Sequence, residues 1–282
     1  MRSAVHNHEP SPRRQVAMAI AAHPDDIEFM MAGTLLLLAQ AGYQTHYMTI
    51  ANGSCGSLQH DVAATRSIRR KESERASKVL GAEYHPSLTD DLEILYELKT
   101  LRRLAAVVRS VNPSVLLVPS PQDYMEDHTN ACRLAVSAAF ARGMPNFKTT
   151  PSRRAVEGDV VLYHAMPHGL RDPLRRRIIP GAFVNTESVL DTKLRALAAH
   201  ESQKTWLDAS QGLDSYLHAM EEMSMAVGEM SGKFRHAEGW RRHLHFGFGE
   251  AEGDPLRDAL GKNYLVNDEY ERRLDNGPTV AA

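Results

Sequence analysis

The 282-residue chain carries 33 basic and 35 acidic side chains, a formal charge of −2, so it presents no electrostatic footprint for nucleic acid or an anionic membrane. Its 43% apolar and 24% charged residues are ordinary for a globular protein, and it has no apolar run of about 18 residues that would read as a transmembrane helix. Two cysteines, Cys55 and Cys132, exclude a disulfide scaffold and make a reduced, cytoplasmic protein the expectation.

Residues 1–14 (MRSAVHNHEPSPRR) are polar, lack the apolar stretch of a secretory signal, and read as a disordered tail. An apolar strand follows at Val16–Ala22, then a helix over Ile27–Gly42 rich in Leu, Met and Ala. Gln44–Ala51 alternates as a strand. Val62–Gly81 has the pattern of an amphipathic helix, closed by Leu80-Gly81. Glu97–Val111 predicts a helix stopped before Pro113, Ser114–Pro119 an apolar strand, and Thr129–Gly143 another helix. Apolar strands separated by helices point to an α/β fold with a mostly parallel, Rossmann-like sheet covered on both faces.

Beyond about residue 150 the alternation weakens. Asp159–His164 and Ala182–Asn185 read as strands, and Thr186–Trp206 as one long helix with Thr186 at its N-cap. Ser215–Met230 is helical, and its stripe of Met220, Met223, Met225 and Met230 fits the core or an oligomer contact. Trp206 and Trp240 read as buried anchors. The tail from Arg235 reads as irregular structure wrapped on the core. The expected organisation is a disordered tail (1–14), a catalytic core (15–206), and a helical and irregular C-terminal segment (207–282), with a homo-oligomer as one expectation for the Met-rich surface.

In an open parallel sheet, ligands bind beyond the carboxyl ends of the strands. The first strand runs into His23-Pro24-Asp25-Asp26, the second into Asn52-Gly53-Ser54-Cys55-Gly56, and the strand at 114–118 into Gln122-Asp123-Tyr124-Met125-Glu126-Asp127-His128. A catalytic zinc needs three protein ligands and an open position. His23 and Asp26, across a proline-stiffened turn, can face one ion, and His128 is the best third ligand. Asp25 is then free to act as general base towards a water that zinc makes acidic. Capping by Asp25 and Asp26 of the helix after them is the plainer alternative, but it leaves His23 unexplained.

Ala22-His23-Pro24-Asp25-Asp26 resembles the signature of the PIG-L/LmbE-like N-deacetylases, which include enzymes that remove acetyl groups from N-acetylglucosamine conjugates. Arg70-x-Glu72 followed by Leu80-Gly81, Asp127-His128, and Lys193…His200-x-Ser202-Gln203 extend the resemblance over about residues 16–204. It implies zinc held by His23, Asp26 and His128, Asp25 as base, a small N-acyl substrate, and substrate contacts from Arg70 and Asp91. A surface ion pair with Glu74 explains Arg70 equally well, and a turn role explains Asp91. For His200, packing or a hydrogen bond behind the ligands is favoured over ligation.

One position departs from the family pattern. Its second motif commonly reads His-Pro-Asp-His, the first histidine stabilising the oxyanion, whereas this chain has Met125-Glu126-Asp127-His128. Methionine donates no hydrogen bond, and loss of such a donor costs ~3 kcal/mol of transition-state stabilisation. Tyr124, His164 and His168 are the replacements to consider, with Tyr124 preferred for its adjacency. The rival function is a catalytically weak or inactive sugar- or nucleotide-binding member of the same fold, although the sequence has neither a G-x-G-x-x-G nor a G-x-x-x-x-G-K-[ST] loop.

Overall fold

The computed structural model describes residues 15–205 and 215–276. The expected tail at 1–14 and Trp206 lie outside the described residues. Strand β1 (Val16–Ala21) shows why a layered fold forms. Ala17, Ala19 and Ala21 enter one apolar core while Met18 and Ile20 enter a second, as the two-residue period of a strand requires. Both faces of the sheet must therefore be covered.

The other elements follow in chain order: α1 (Asp26–Met30), α2 (Ala32–Gln40), β2 (Gln44–Thr49), α3 (Val62–Leu80), β3 (Glu83–His85), α4 (Leu98–Val111), β4 (Val115–Val118), α5 (Glu126–Phe140), β5 (Val161–Ala165), β6 (Ala182–Asn185), α6 (Leu190–Ala198), α7 (Ser215–Ser231), β7 (Ala237–Arg242) and β8 (Tyr264–Val266). One eight-stranded sheet orders them β3-β2-β1-β4-β5-β7-β6-β8. The first five strands pair in parallel, and the last three add on antiparallel. Residues of α4 and α5 fill one core. Those of α1, α2, α6 and α7 fill the other. The expected α/β architecture is borne out, and the C-terminal segment in addition extends the sheet with β7 and β8.

Two expected helices are broken, each for a visible reason. Within Ile27–Gly42 the chain turns at Met31 (φ −136°) and restarts as α2. The buried carboxylate of Glu238 on β7 accepts the Gly33 and Thr34 amides at 2.8 Å each, supplying α2 with an anionic cap. Glu238 also takes the buried ammonium of Lys193 at 2.7 Å. A Cβ on Gly33 would lie 2.4 Å from the Thr186 methyl and 3.0 Å from Glu238 Oε1, so only glycine admits this approach. The stretch from Thr186 divides into a 3-10 turn at Glu187–Val189, α6, and a helical stretch at 201–205. Thr186 makes no side-chain cap there, a correction to its expected role. The break at His200 lets its buried imidazole lie 3.3 Å from Glu28, while the Ser202 amide and hydroxyl both bond to Glu72.

The methionine stripe belongs mainly to the core. Met220 is buried, Met223 and Met230 pack against buried clusters, and Met225 faces outward. Trp240 is fully buried and donates its indole N–H to the Thr34 hydroxyl at 2.9 Å. Among the described residues no helix is long and apolar enough to cross a membrane.

Removing one member of a buried ion pair leaves the other uncompensated. Glu238→Ala is therefore expected to lower unfolding free energy by about 3–5 kcal/mol, measured by denaturant titration. Adding Lys193→Met should recover only part of the loss, because the α2 amides remain uncapped.

Candidate functional site

In the order β3-β2-β1-β4-β5 the chain direction of winding reverses between β1 and β4, and such a switch point opens a crevice at the strands' carboxyl ends. His23 to Asp26 leave β1 at this crevice, and Asp123 to His128 leave β4 and enter α5. The helix begins at Glu126, earlier than expected, so Asp127 and His128 stand in its first turn.

His23, Asp26 and His128 converge on a common point and form a group able to hold a metal ion. His23 Nδ1 is 3.4 Å from His128 Nε2 and 3.7 Å from Asp26 Oδ2, and His128 Nε2 is 3.5 Å from Asp26 Oδ1. Ligands on a tetrahedral zinc stand roughly 3.3–3.6 Å apart, given bonds of about 2.0–2.2 Å, so these donors lie close to the spacing such an ion needs. Behind them, His23 Nε2 bonds to Asp127 Oδ2 at 2.9 Å, and His128 Nδ1 lies 3.0 Å from Asp123 Oδ1. A carboxylate behind each imidazole fixes which nitrogen faces the ion and raises its basicity.

The charges respond accordingly. Burial pushes the His128 imidazole down, but Asp26 and Asp123 outweigh it and lift the group to about 9. Burial likewise depresses His23, while its bond to Asp127 and the charge of Asp26 bring it above the ordinary value. Burial would raise Asp26, yet His128 and His23 hold its carboxyl below the usual range.

Asp25 points elsewhere. Its backbone is left-handed (φ 102°), an uncommon state for a residue with a Cβ, and although it stands at the N-cap of α1 its side chain makes no capping hydrogen bond. The Arg69 guanidinium holds it there, donating to the Pro24 carbonyl at 2.5 Å and reaching Asp25 Oδ2 at 3.4 Å. Tyr216, from α7, donates its hydroxyl to the same oxygen at 2.7 Å. Burial raises the Asp25 carboxyl, and Arg69 only partly opposes it.

These groups line a cavity of about 390 Å³ that also includes Phe29, Leu92, Tyr124, Met125, His168 and Gln203. Of the expected ligand, base, donor and substrate-contact residues, Arg70 and His164 do not line it. Asp91 holds two loops together through the Gly53 and Cys55 amides, at 2.7 and 2.9 Å. Tyr124 sets its ring edge against His128, with centroids 5.8 Å apart. His168 stands at the same mouth, against Phe29, whereas His164 does not line the cavity and bonds to His243 and the Pro119 carbonyl.

Arg70 requires correction. It is 62% exposed and pairs with Glu74 on the outer face of α3, whereas Arg69, 2% exposed, points inward. Adjacent helix positions differ by about 100° around the axis, so a one-residue offset moves a side chain from crevice to solvent. Gly53 shares this packing, since a Cβ there would sit 2.6 Å from Arg69 Nε. Sequence reasoning also missed Tyr216, Asp123 and the role of Asp127. The last two were findable from the rule that a ligating imidazole needs a carboxylate behind it.

Residues 18–140 match the family described as PIG-L: GlcNAc-PI de-N-acetylase, so the resemblance drawn from the sequence is borne out. The chain is 29% identical over 240 residues to the diacetylchitobiose deacetylase of Thermococcus kodakarensis, covering 83% of this chain and 85% of that one. It is also 29% identical over 217 residues to the 4-oxalmesaconate hydratase of Pseudomonas putida, covering 72% and 82%. The fold is shared with the N,N'-diacetylchitobiose deacetylase of Pyrococcus horikoshii, with a TM-score of 0.68 at 22% identity, over 86% of this chain and 89% of that one.

Two outcomes follow. In metal-free protein, protonated His128 contributes stability in full below pH 6.5 that is lost as pH rises through about 9. Denaturant melts after chelation should therefore weaken from pH 6 to 9.5, by about 3 kcal/mol, and His128→Gln should flatten the trend. In a second comparison, Arg69→Ala should cost about 3–5 kcal/mol while Arg70→Ala stays within about 0.5 kcal/mol of wild type.

Proposed function

We propose that this chain is a metal-dependent amide hydrolase that removes the acetyl group from an N-acetyl sugar or amino-sugar conjugate. The observation that carries this reading is the separation of the two adjacent carboxylates. Asp26 turns to His23 and His128, while Asp25 turns to Arg69 and Tyr216. This separation supports reading Asp26 as a ligand and Asp25 as a base. His23, Asp26 and His128 would hold zinc, which when bound polarises the acyl carbonyl and acidifies water.

Asp25 takes the proton of the attacking water and returns it to the departing amine. Its bonds to Tyr216 and Arg69 fall on Oδ2, which leaves Oδ1 for the proton, and its raised pKa brings it nearer the pH at which a base works best. Tyr124 supplies the donor that Met125 cannot. Burial and the nearby Asp26 and Asp123 keep its phenol above the ordinary value, so its O–H stays available at neutral pH. His168 is the competing donor at the same mouth.

The hydratase relative names a second chemistry, water addition to an unsaturated carboxylate. Among the described residues the cavity lining carries a single guanidinium, Arg69, already bonded to Pro24 and Asp25. A substrate with several carboxylates would therefore have only the metal and its imidazole ligands to pair with, whereas a neutral acetamide needs no further cation, which favours the amide reading.

The test is acetate release from a panel of N-acetyl amino sugars with zinc supplied. Asp25→Asn should keep metal content and lose roughly 10²–10⁴-fold in rate. Tyr124→Phe should lose roughly 10²–10³-fold in kcat, with His168→Gln near wild type; the reverse pattern assigns the donor to His168. Full activity in chelated protein overturns the metal-dependent mechanism, and release from no member of the panel overturns the deacetylase reading.

A further inference from the structure

A second cluster of metal-binding side chains lies away from this crevice, at the β2–β3 edge of the sheet. The strand register sets His46 opposite Glu83 and Met48 opposite His85. Residues two apart on a strand share a face, so Glu83 and His85 flank His46 on one side of the sheet. That is the side carrying Met18, which pairs with His46 across β1 and β2. The three side chains offer donor atoms all within 4.8 Å of one another. His46 Nδ1 is 2.9 Å from His85 Nε2 and 3.7 Å from Glu83 Oε2. These two separations bracket the roughly 3.3–3.6 Å between ligands on a tetrahedral zinc.

The chemistry of the donors agrees. A neutral imidazole keeps the lone pair a metal needs, and two imidazoles with a carboxylate make a donor set of the kind that holds zinc. A hydrogen bond between two imidazoles satisfies one nitrogen of each, while the carboxylate beside them accepts, among the described residues, only a long bond from the Gln44 amide at 3.4 Å. Glu83 is 59% exposed at its side chain, which leaves an entry path for an ion. Two imidazoles and a carboxylate suit zinc, nickel, cobalt or copper rather than calcium or magnesium.

We infer that His46, Glu83 and His85 form a second divalent transition-metal site, separate from the catalytic crevice, that braces edge strand β3 against β2. The brace reaches the crevice through the chain. β2 runs on to Gly53 and Cys55 and β3 to Asp91, the residues that hydrogen-bond across the cavity wall, and an Ala51–Thr89 bridge joins the two exits. Strand β3 has only three residues, so an ion at its side chains would add to a short ladder of backbone bonds.

The test is zinc titration of chelator-stripped full-length protein, with stoichiometry read by elemental analysis and affinity by competition with a chromophoric chelator. Wild type should bind two equivalents, the second raising Tm. His85→Ala and Glu83→Gln should each weaken the second equivalent at least ~10–100-fold, the range for losing even an outer-shell partner, while leaving the first intact. Glu83→Gln alters an exposed side chain and keeps the comparison decisive if His85→Ala fails to fold. His128→Ala should remove the crevice equivalent and spare this one, so failure here is distinguishable from failure of the proposed catalytic centre. The absence of any bound equivalent that both edge variants weaken, whether wild type binds one or two, overturns the inference.

Discussion

Two buried carboxylates on consecutive residues repel each other unless each finds its own partners. Here Asp25, on left-handed backbone, meets Arg69 and Tyr216 while Asp26 meets His23 and His128, and the chemistry proposed for the crevice follows from this divergence. Such a conformation costs on the order of 1–3 kcal/mol, so the surroundings must over-determine it. The buried guanidinium of Arg69 does so, gripping the carbonyl before Asp25 and the carboxylate of Asp25 itself. Gly53 allows the guanidinium its place by having no side chain.

The crevice is in turn held by buried charges that span the chain. Lys193 and the α2 amides meet Glu238, His200 meets Glu28, and Ser202 meets Glu72 beside Arg69. The spaced Lys193…His200-x-Ser202-Gln203 element thus becomes a row of fastenings. Each residue type is fixed because its partner is a carboxylate or backbone group with no access to water. Gln203 completes the row at the cavity wall, where its amide oxygen would lie 2.9 Å from a Cβ on Gly56.

The sheet's parallel half was legible because its strands are continuous apolar runs and its helices carry the 3.6-residue period. His23, Asp26 and His128 were legible because strand ends are where such a sheet binds ligands. What escaped has physical causes. Arg69 and Arg70 have the same chemistry, and only the rotation of α3 decides between them. Strand β7 (AEGWRR) lies between two antiparallel neighbours and shows no clean alternation. β3 is too short to display a period at all. Tyr216 lies 191 residues from Asp25 in a helix whose apolar pattern accounts for it as core, so no local signal marks its hydroxyl.

The place of β7 in the sheet has a consequence for how the protein is made. Strand β6 borders only β7 and β8, so it has no partner in the sheet until the later strands have been synthesised. Until then Lys193 lacks Glu238 and α2 lacks its cap, and before α7 is made Asp25 lacks the hydroxyl of Tyr216. Non-local pairings of this kind form late, since loop closure must precede them. The segment bearing His23 to Asp26 leaves the ribosome well before Tyr216 and Glu238 and reaches its working geometry only after them. A nascent or truncated chain can therefore carry every proposed metal ligand and still be unable to set its base.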